Sequence, residues 1–373
     1  MNNLDQLLEQ YLEEASLHLD ESFVEDVEIQ ARIKEIAECS SNRAAVRLIM
    51  SCVLAKIDQP NIDVRKPYTE IGTKDSFSGR VYDEKFIQPF IFRHELPCNP
   101  TTAFLTPALR NIGKVLVPEV EIIGKPRSVY KAALELLTDV KKERIAPKLV
   151  LLEVMRFLVI IKNDKSDRLE SLLRDVRKAN EILQLSAEGI ITLISQHLAC
   201  KYSSRLPVLV VAAAYKVSEK CLGEKILHLH SHNAADEQTG ALGDLEITLI
   251  NDDEVITSYE MKSRRVTKDD IDRAVQKVVG KKIDNYIFIT TDIIEESVVE
   301  YAKTLYDKTG GIEFVILDCV GFLRHFLHLF HRVRSQFLEE YQAMLLIEPE
   351  SAVGQPLKEA FLALRRAAQI QPE

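Results

Sequence analysis

Past about residue 205 the hydrophobic pattern stops following a helical period alone, and the order of segments that follows restricts the fold more than any other feature of the chain. Pro207 opens an apolar helix to about Leu222. Residues 226–232 alternate apolar side chains with histidines, as a strand would. Residues 244–250 and 254–263 read as the two strands of a hairpin turned at Asn251-Asp252-Asp253. Thr267 caps a helix over 268–279, and 285–290 is a short apolar strand. A helix over 295–306, a strand over 312–317 behind Gly311, and a long helix over 320–346 complete the series. Helix, strands, helix, strand is the order of a mixed α/β domain.

The residues before this change are mainly helical. Leu4, Leu7, Leu8, Tyr11 and Leu12 set a helical period within 3–37. Ser41-Asn42 caps a helix that runs through Leu54. Ala146-Pro147 opens an apolar helix through Ile161, Ser166-Asp167 starts a charged one, and Ser186 starts another that ends near Tyr202. Residues 59–113 break the pattern, because Pro60, Pro67, Pro89, Pro97, Pro100 and Pro107 are six of the chain's 13 prolines. Repeated prolines predict loops and short extended pieces there. Two readings of this stretch stand side by side. It is dense in groups able to reach base edges or phosphates, among them Lys66, Lys74, Arg80, Arg93, Asn99, Arg110 and Asn111. It is equally an ordered connector packed by Phe77, Phe86, Phe90, Phe92 and Phe104. The change at Ser203-Ser204 divides the chain into a mainly helical domain, 1–204, and a mixed α/β domain, 205–373.

The chain has 373 residues and a net charge of −9, from 48 basic and 57 acidic side chains. Taken whole, that balance argues against a nucleic-acid partner. Nine of the acids fall in residues 1–30, where there is no lysine or arginine, so the remainder is neutral at 48 against 48. A neutral body with local basic patches can hold DNA. The six cysteines are scattered, with no C-x-x-C pair, which excludes a zinc ribbon or a disulfide framework and fits a reducing cytoplasm. No secretory leader is visible, and the longest apolar run, from Leu206, is broken by Pro207 and too short for a bilayer. There is no phosphate-binding G-x-x-x-x-G-K-[ST] loop and no local support for Ser-His-Asp catalysis.

Within the mixed domain, Gly243-Asp244-Leu245-Glu246-Ile247 precedes Tyr259-Glu260-Met261-Lys262-Ser263 in the spacing D-x15-E-x-K. On a strand Glu260 and Lys262 share a face. Two carboxylates and an ammonium at a sheet edge suit Mg²⁺ and an attacking water. Asp244 and Glu260 supply hard oxygen ligands, and Lys262 holds the water or helps to take its proton. Glu246, two residues from Asp244, and Asp236, in the preceding loop, are further oxygen donors. The same spacing also fits an exposed pair on a solvated strand. Between Met261 and Lys282, eight basic residues face three aspartates, and Arg264, Arg265 and Lys268 are the nearest candidates for phosphate contacts. His228, His230 and His232 share a strand face that is either polar lining or a transition-metal set. His325, His328 and His331 recur at helical spacing, as a packing or dimer surface would.

The run from Gly243-Asp244 through Glu260-Met261-Lys262 to the strand after the next helix resembles the PD-(D/E)XK nuclease superfamily, and within it the type II restriction endonucleases. The loop 235–240, Lys66-Pro67-Tyr68 and Ser76-Phe77-Ser78-Gly79-Arg80 add to the likeness. It rests on motifs over about 205–320. The resemblance implies a restriction-endonuclease-like α/β (α+β) core with a mixed central sheet, Asp244 and Glu260 as metal ligands, and Lys262 as the catalytic lysine. Gly243 stands where the family name has proline. The family frequently carries a supporting glutamate on the first core helix, for which Glu219 and Glu224 are both candidates. The implied activity is Mg²⁺-dependent, site-specific cleavage of double-stranded DNA by a homodimer, with the helical domain helping to read the target. Lys74, Arg80 and Asn99 join the candidate DNA contacts, and a cognate DNA methyltransferase acting on the same site is an implied partner. A modification-dependent or repair nuclease using the same site, and a catalytically silent DNA-binding protein, are the alternatives.

Overall fold

A computed structural model describes residues 3–99, 101–110, 112–180, 184–229 and 241–369. Contacts divide the chain into two units, Met1–Arg168 and Leu169–Glu373.

In the first unit, α1 (Asn3–Leu17) and α2 (Val27–Glu38) replace the single helix expected over 3–37. The break has a local cause: the Asp26 carboxylate accepts hydrogen bonds from the backbone N–H groups of Glu28 and Ile29 and so starts a new helix. Helix α3 (Ala44–Asp58) is buried from Ala44 to Ala55 on every side, as an all-round apolar helix must be. The one charge in that buried run, Arg47, donates from Nε and Nη2 to Asp83 Oδ1 at 2.9 and 2.6 Å. Asp83 Oδ2 accepts in turn from Thr102 Oγ1 and the Ala103 N–H. This satisfied buried pair ties the proline-rich stretch to α3.

That stretch is more helical than its prolines predict. Helix α4 (Gly79–Tyr82), a π-helical turn over Asp83–Ile87 and α5 (Gln88–Arg93) run on without a gap, with Pro89 in the first turn of α5, where a missing N–H is tolerated. Phe77, Phe86, Phe90 and Phe104 are buried, while Phe92 is exposed. Helix α6 (Arg127–Lys141) follows. Helix α7 (Pro147–Asn180) is continuous where two helices were expected, because Ser166 and Asp167 are exposed and their side chains do not compete for the ladder.

In the second unit, α8 (Ala187–Leu198) is capped by Ser186, and α9 (Leu206–Leu222) ends at Gly223 in the left-handed conformation. Then come β1 (Glu224–Leu229), β2 (Leu245–Leu249), β3 (Val255–Lys262), α10 (Lys268–Val278), β4 (Asn285–Thr290), α11 (Glu296–Lys303), α12 (Leu305–Lys308) and β5 (Glu313–Asp318). Helices α13 (Cys319–Leu329), α14 (Arg334–Ile347) and α15 (Gln355–Gln369) close the chain. The helix expected over 320–346 is therefore two, parted at Phe330 by a 3-10 turn over His331–Val333. His230, His232 and the loop 235–240 with Asp236 lie outside the described residues, as do Pro100 and Asn111.

The five strands lie in the order β1-β2-β3-β4-β5. The pairs β1/β2 and β2/β3 are antiparallel, and β3/β4 and β4/β5 are parallel. Each parallel pair needs a crossover, which α10 and α11–α12 supply. Leu245, Ile247, Tyr259 and Ile289 face a core built with α8, α9, α13, α14 and α15. Tyr286, Phe288, Phe314 and Ile316 face a second core under α10, α11 and α12. The result is a mixed α/β unit around a mixed sheet. The contact division precedes the change of pattern at 204/205, because α8 is helical in sequence yet packs with α13 and α15. Among the described residues, no helix is long and apolar enough to cross a membrane.

Candidate active site

The register of the sheet brings the motif together. Leu245 pairs with Tyr259 and Glu246 with Ser258, while Ser258, Glu260 and Lys262 pair across the parallel ladder with Tyr286, Phe288 and Thr290. Paired residues share a face, so Glu246, Ser258, Glu260, Lys262 and Tyr286 all point to the side covered by α10. Asp244 sits just before β2. Its N–H donates to Tyr259 O at 2.8 Å, and its Oδ2 accepts from the Met261 N–H at 2.7 Å. The aspartate is thus locked to the backbone on either side of Glu260. Gly243 makes this approach feasible, since a Cβ there would lie 2.5 Å from both Tyr259 O and Ser258 Oγ. The same contact excludes proline at the position.

Glu260 and Lys262 are largely covered, and Lys262 Nζ stands 2.5 Å from Glu260 Oε1. Lys277, reaching in from α10, lies 3.4 Å from Glu260 Oε2, and the Tyr286 hydroxyl also donates to that oxygen. Burial pushes the Glu260 carboxyl up, but the hydrogen bonds from Lys262 and Tyr286 and the two ammonium charges outweigh it and hold the group below its ordinary value. Glu260 is therefore a carboxylate at neutral pH. Glu246 is buried and accepts from the Leu242 N–H at 2.8 Å, which turns one of its oxygens back on the loop before Asp244. Tyr286 is also 2.9 Å from Leu242 O, so one phenol bridges that loop and Glu260.

The basic run after the motif is answered by acids. Arg264 donates with both terminal nitrogens to Asp270, and Arg273 donates to Asp270 Oδ1 at 2.6 Å. Asp270 also receives the Thr267 N–H and hydroxyl in a reciprocal cap that starts α10. Burial raises its carboxyl, yet these donors hold it well below the usual carboxylate range. Arg265 pairs with Glu295 at 3.0 Å, and Lys268 lies over the Tyr301 ring.

The remaining candidates are placed elsewhere. Glu219 is on α9 and pairs with Lys216 at 3.6 Å. Glu224 pairs with Leu249 in β1/β2, which puts it on the Ile247 face, opposite Glu260; burial raises its carboxyl. In the first unit, Arg80 pairs with Glu84, Asn99 accepts from the Arg43 N–H, and Lys74 is exposed. Tyr286, Lys277 and Asp270 escaped the sequence reading as site residues. The Thr267-x-x-Asp270 spacing of a capping box is a signal for Asp270 alone, because Tyr286 depends on the register of a parallel pair and Lys277 on the packing of α10 against β3.

The donor set suits a hard divalent cation: carboxylates from Asp244 and Glu260, the latter kept ionised by its neighbours. Among the described residues no group of three or more His, Cys, Asp or Glu is arranged to hold a metal. Among curated proteins, none matches the chain. Residues 183–291, less than a third of the chain but spanning α8 to the end of β4 and all of Asp244, Glu260 and Lys262, match the family model of the SacI restriction endonuclease C-terminal domain, and over that stretch the chain is similar to a restriction endonuclease.

Proposed function

We propose that the chain is a Mg²⁺-dependent type II restriction endonuclease with a PD-(D/E)XK site, hydrolysing phosphodiester bonds at a specific sequence in double-stranded DNA. The observation that carries the reading is the approach of Asp244, just before β2, to the end of β3 that carries Glu260 and Lys262, inside the stretch that is similar to a restriction endonuclease domain. Asp244 and Glu260 would hold Mg²⁺, which when bound offsets charge on the phosphoryl oxygens and eases deprotonation of water. Lys262 orients the attacking water by charge and hydrogen bond. Tyr286 and Lys277 keep Glu260 ionised and fixed. Lys277, with exposed bases such as Lys268, supplies positive charge for the DNA backbone, so binding weakens with salt. Cutting both strands calls for two such sites, hence a homodimer on two-fold symmetric DNA. A cytoplasmic DNA methyltransferase acting on the same sequence would protect host DNA.

The test is cleavage of unmethylated phage DNA with Mg²⁺ and with EDTA, resolved on a gel. Discrete Mg²⁺-dependent bands are expected. Asp244→Ala is expected to abolish them, and Lys262→Ala to slow cutting by roughly 10²–10⁴-fold, both with an unchanged circular dichroism spectrum. Wild-type rates in both variants would remove these residues from the mechanism. Absence of cutting by the wild-type chain on unmodified substrates, with cutting of methylated DNA, would make it a modification-dependent nuclease instead.

A further inference from the structure

Asp270 collects more positive charge than the capping of α10 requires. The reciprocal bonds with Thr267 alone satisfy the helix start. Its side chain is nonetheless fully buried and receives two hydrogen bonds from Arg264 and one from Arg273. The Lys262 ammonium stands 3.8 Å from Asp270 Oδ1 and 2.5 Å from Glu260 Oε1. A lysine head rides on a flexible four-carbon stem, so the anions around it decide where it rests. Glu260 alone fixes one contact, and a second anion adds another restraint. Arg264 and Arg273 hold that second anion still. Since both oxygens of Asp270 are engaged by Arg264, this arginine serves Asp270 before it serves any phosphate.

We infer that Asp270 is a positioning residue for the Lys262 ammonium, a role additional to capping α10. The inference rests on the nuclease reading for its effect on rate, but not for its effect on where the ammonium rests. Three variants of the full chain separate the roles. Asp270→Asn keeps shape and a capping oxygen but removes the charge. Asp270→Glu keeps the charge and displaces it by one methylene. Thr267→Ala removes the cap and leaves the charge.

In single-turnover cleavage with Mg²⁺, Asp270→Asn is expected to lose roughly 10- to 100-fold in rate, with Asp270→Glu intermediate. DNA affinity in EDTA stays close to wild type in both, and Thr267→Ala cuts like wild type. Without metal or DNA, reductive methylation of Lys262, followed by peptide mass spectrometry, is expected to be faster in Asp270→Asn and unchanged in Thr267→Ala. A wild-type rate in Asp270→Asn, or equal slowing by Thr267→Ala, overturns the inference. If the wild-type chain cuts no DNA, the nuclease reading fails by itself. The methylation arm then decides: unchanged labelling in Asp270→Asn removes the positioning role, and faster labelling sustains it.

Discussion

Gly243 holds its position for want of a Cβ, and that ties one small residue to the geometry of the whole site. An alanine there sets a methyl 2.5 Å from Tyr259 O, a backbone atom that cannot step aside. The start of β2 must then move away from β3 and carry Asp244 with it. Gly243→Ala is expected to cost about 1–3 kcal/mol in urea unfolding and to slow cleavage. Unchanged values for both would mean that the approach of the two strands has slack. The pair Glu260 and Lys262 was legible in the sequence because side chains on a strand alternate, and Asp244 because its spacing fits a hairpin. The fates of Arg264 and Arg265 were not legible. Their partners, Asp270 and Glu295, stand 6 and 30 residues further on, and only folding brings them close. A run of basic residues reads as a phosphate patch until the neutralising acids are known.

Among the elements, α8 shows how packing overrides pattern. Its His197 is fully buried between α14 and α15. Nε2 lies 2.9 Å from Leu357 O and Nδ1 lies 2.9 Å from the Tyr341 hydroxyl. A neutral ring satisfies both, donating from Nε2 and accepting at Nδ1, while an imidazolium would force the tyrosine hydroxyl to turn away. Burial pulls the pKa down from 6.5 to about 4, against the hydrogen bond to Leu357 O. The unfolded chain therefore binds a proton that the folded chain refuses between those values. Stability from this group is intact above about pH 6.5 and is lost as pH falls toward 4. Between pH 7 and pH 5 the loss is about 2 kcal/mol. In His197→Gln that part of the pH dependence is expected to vanish, so the wild-type minus variant difference in urea unfolding free energy should shrink by that amount. A difference that does not change with pH would mean that the ring titrates in the fold as it does in the unfolded chain. The elements themselves were read well where the period was strong, as in β4, α9 and α10. The misses, a break at Asp26 and another at Phe330, are caps and turns made by single residues inside otherwise helical patterns.

On the scale of the molecule, sequence pattern and contact pattern divide the chain at different places, and the difference is measurable. The pattern changes at 204/205, whereas the contacts divide at 168/169, inside α7. The segment in dispute carries α8, which buries Ile190, Ile191, Leu193 and Ile194 among α9, α13 and α15. Each such side chain contributes on the order of 1.5–3 kcal/mol when buried. Four of them approach the roughly 5–15 kcal/mol that stabilises an entire domain. A fragment of residues 205–373 would also leave the Tyr341 hydroxyl without His197. Residues 169–373 are therefore expected to unfold in one cooperative urea transition, with near-ultraviolet circular dichroism typical of fixed aromatic packing. Residues 205–373 are expected to show a shallow, non-cooperative transition or to aggregate. Should the shorter fragment unfold at the same midpoint as the longer one, α8 would be an accessory laid on a finished core, and the change of periodicity would mark the true edge of the domain.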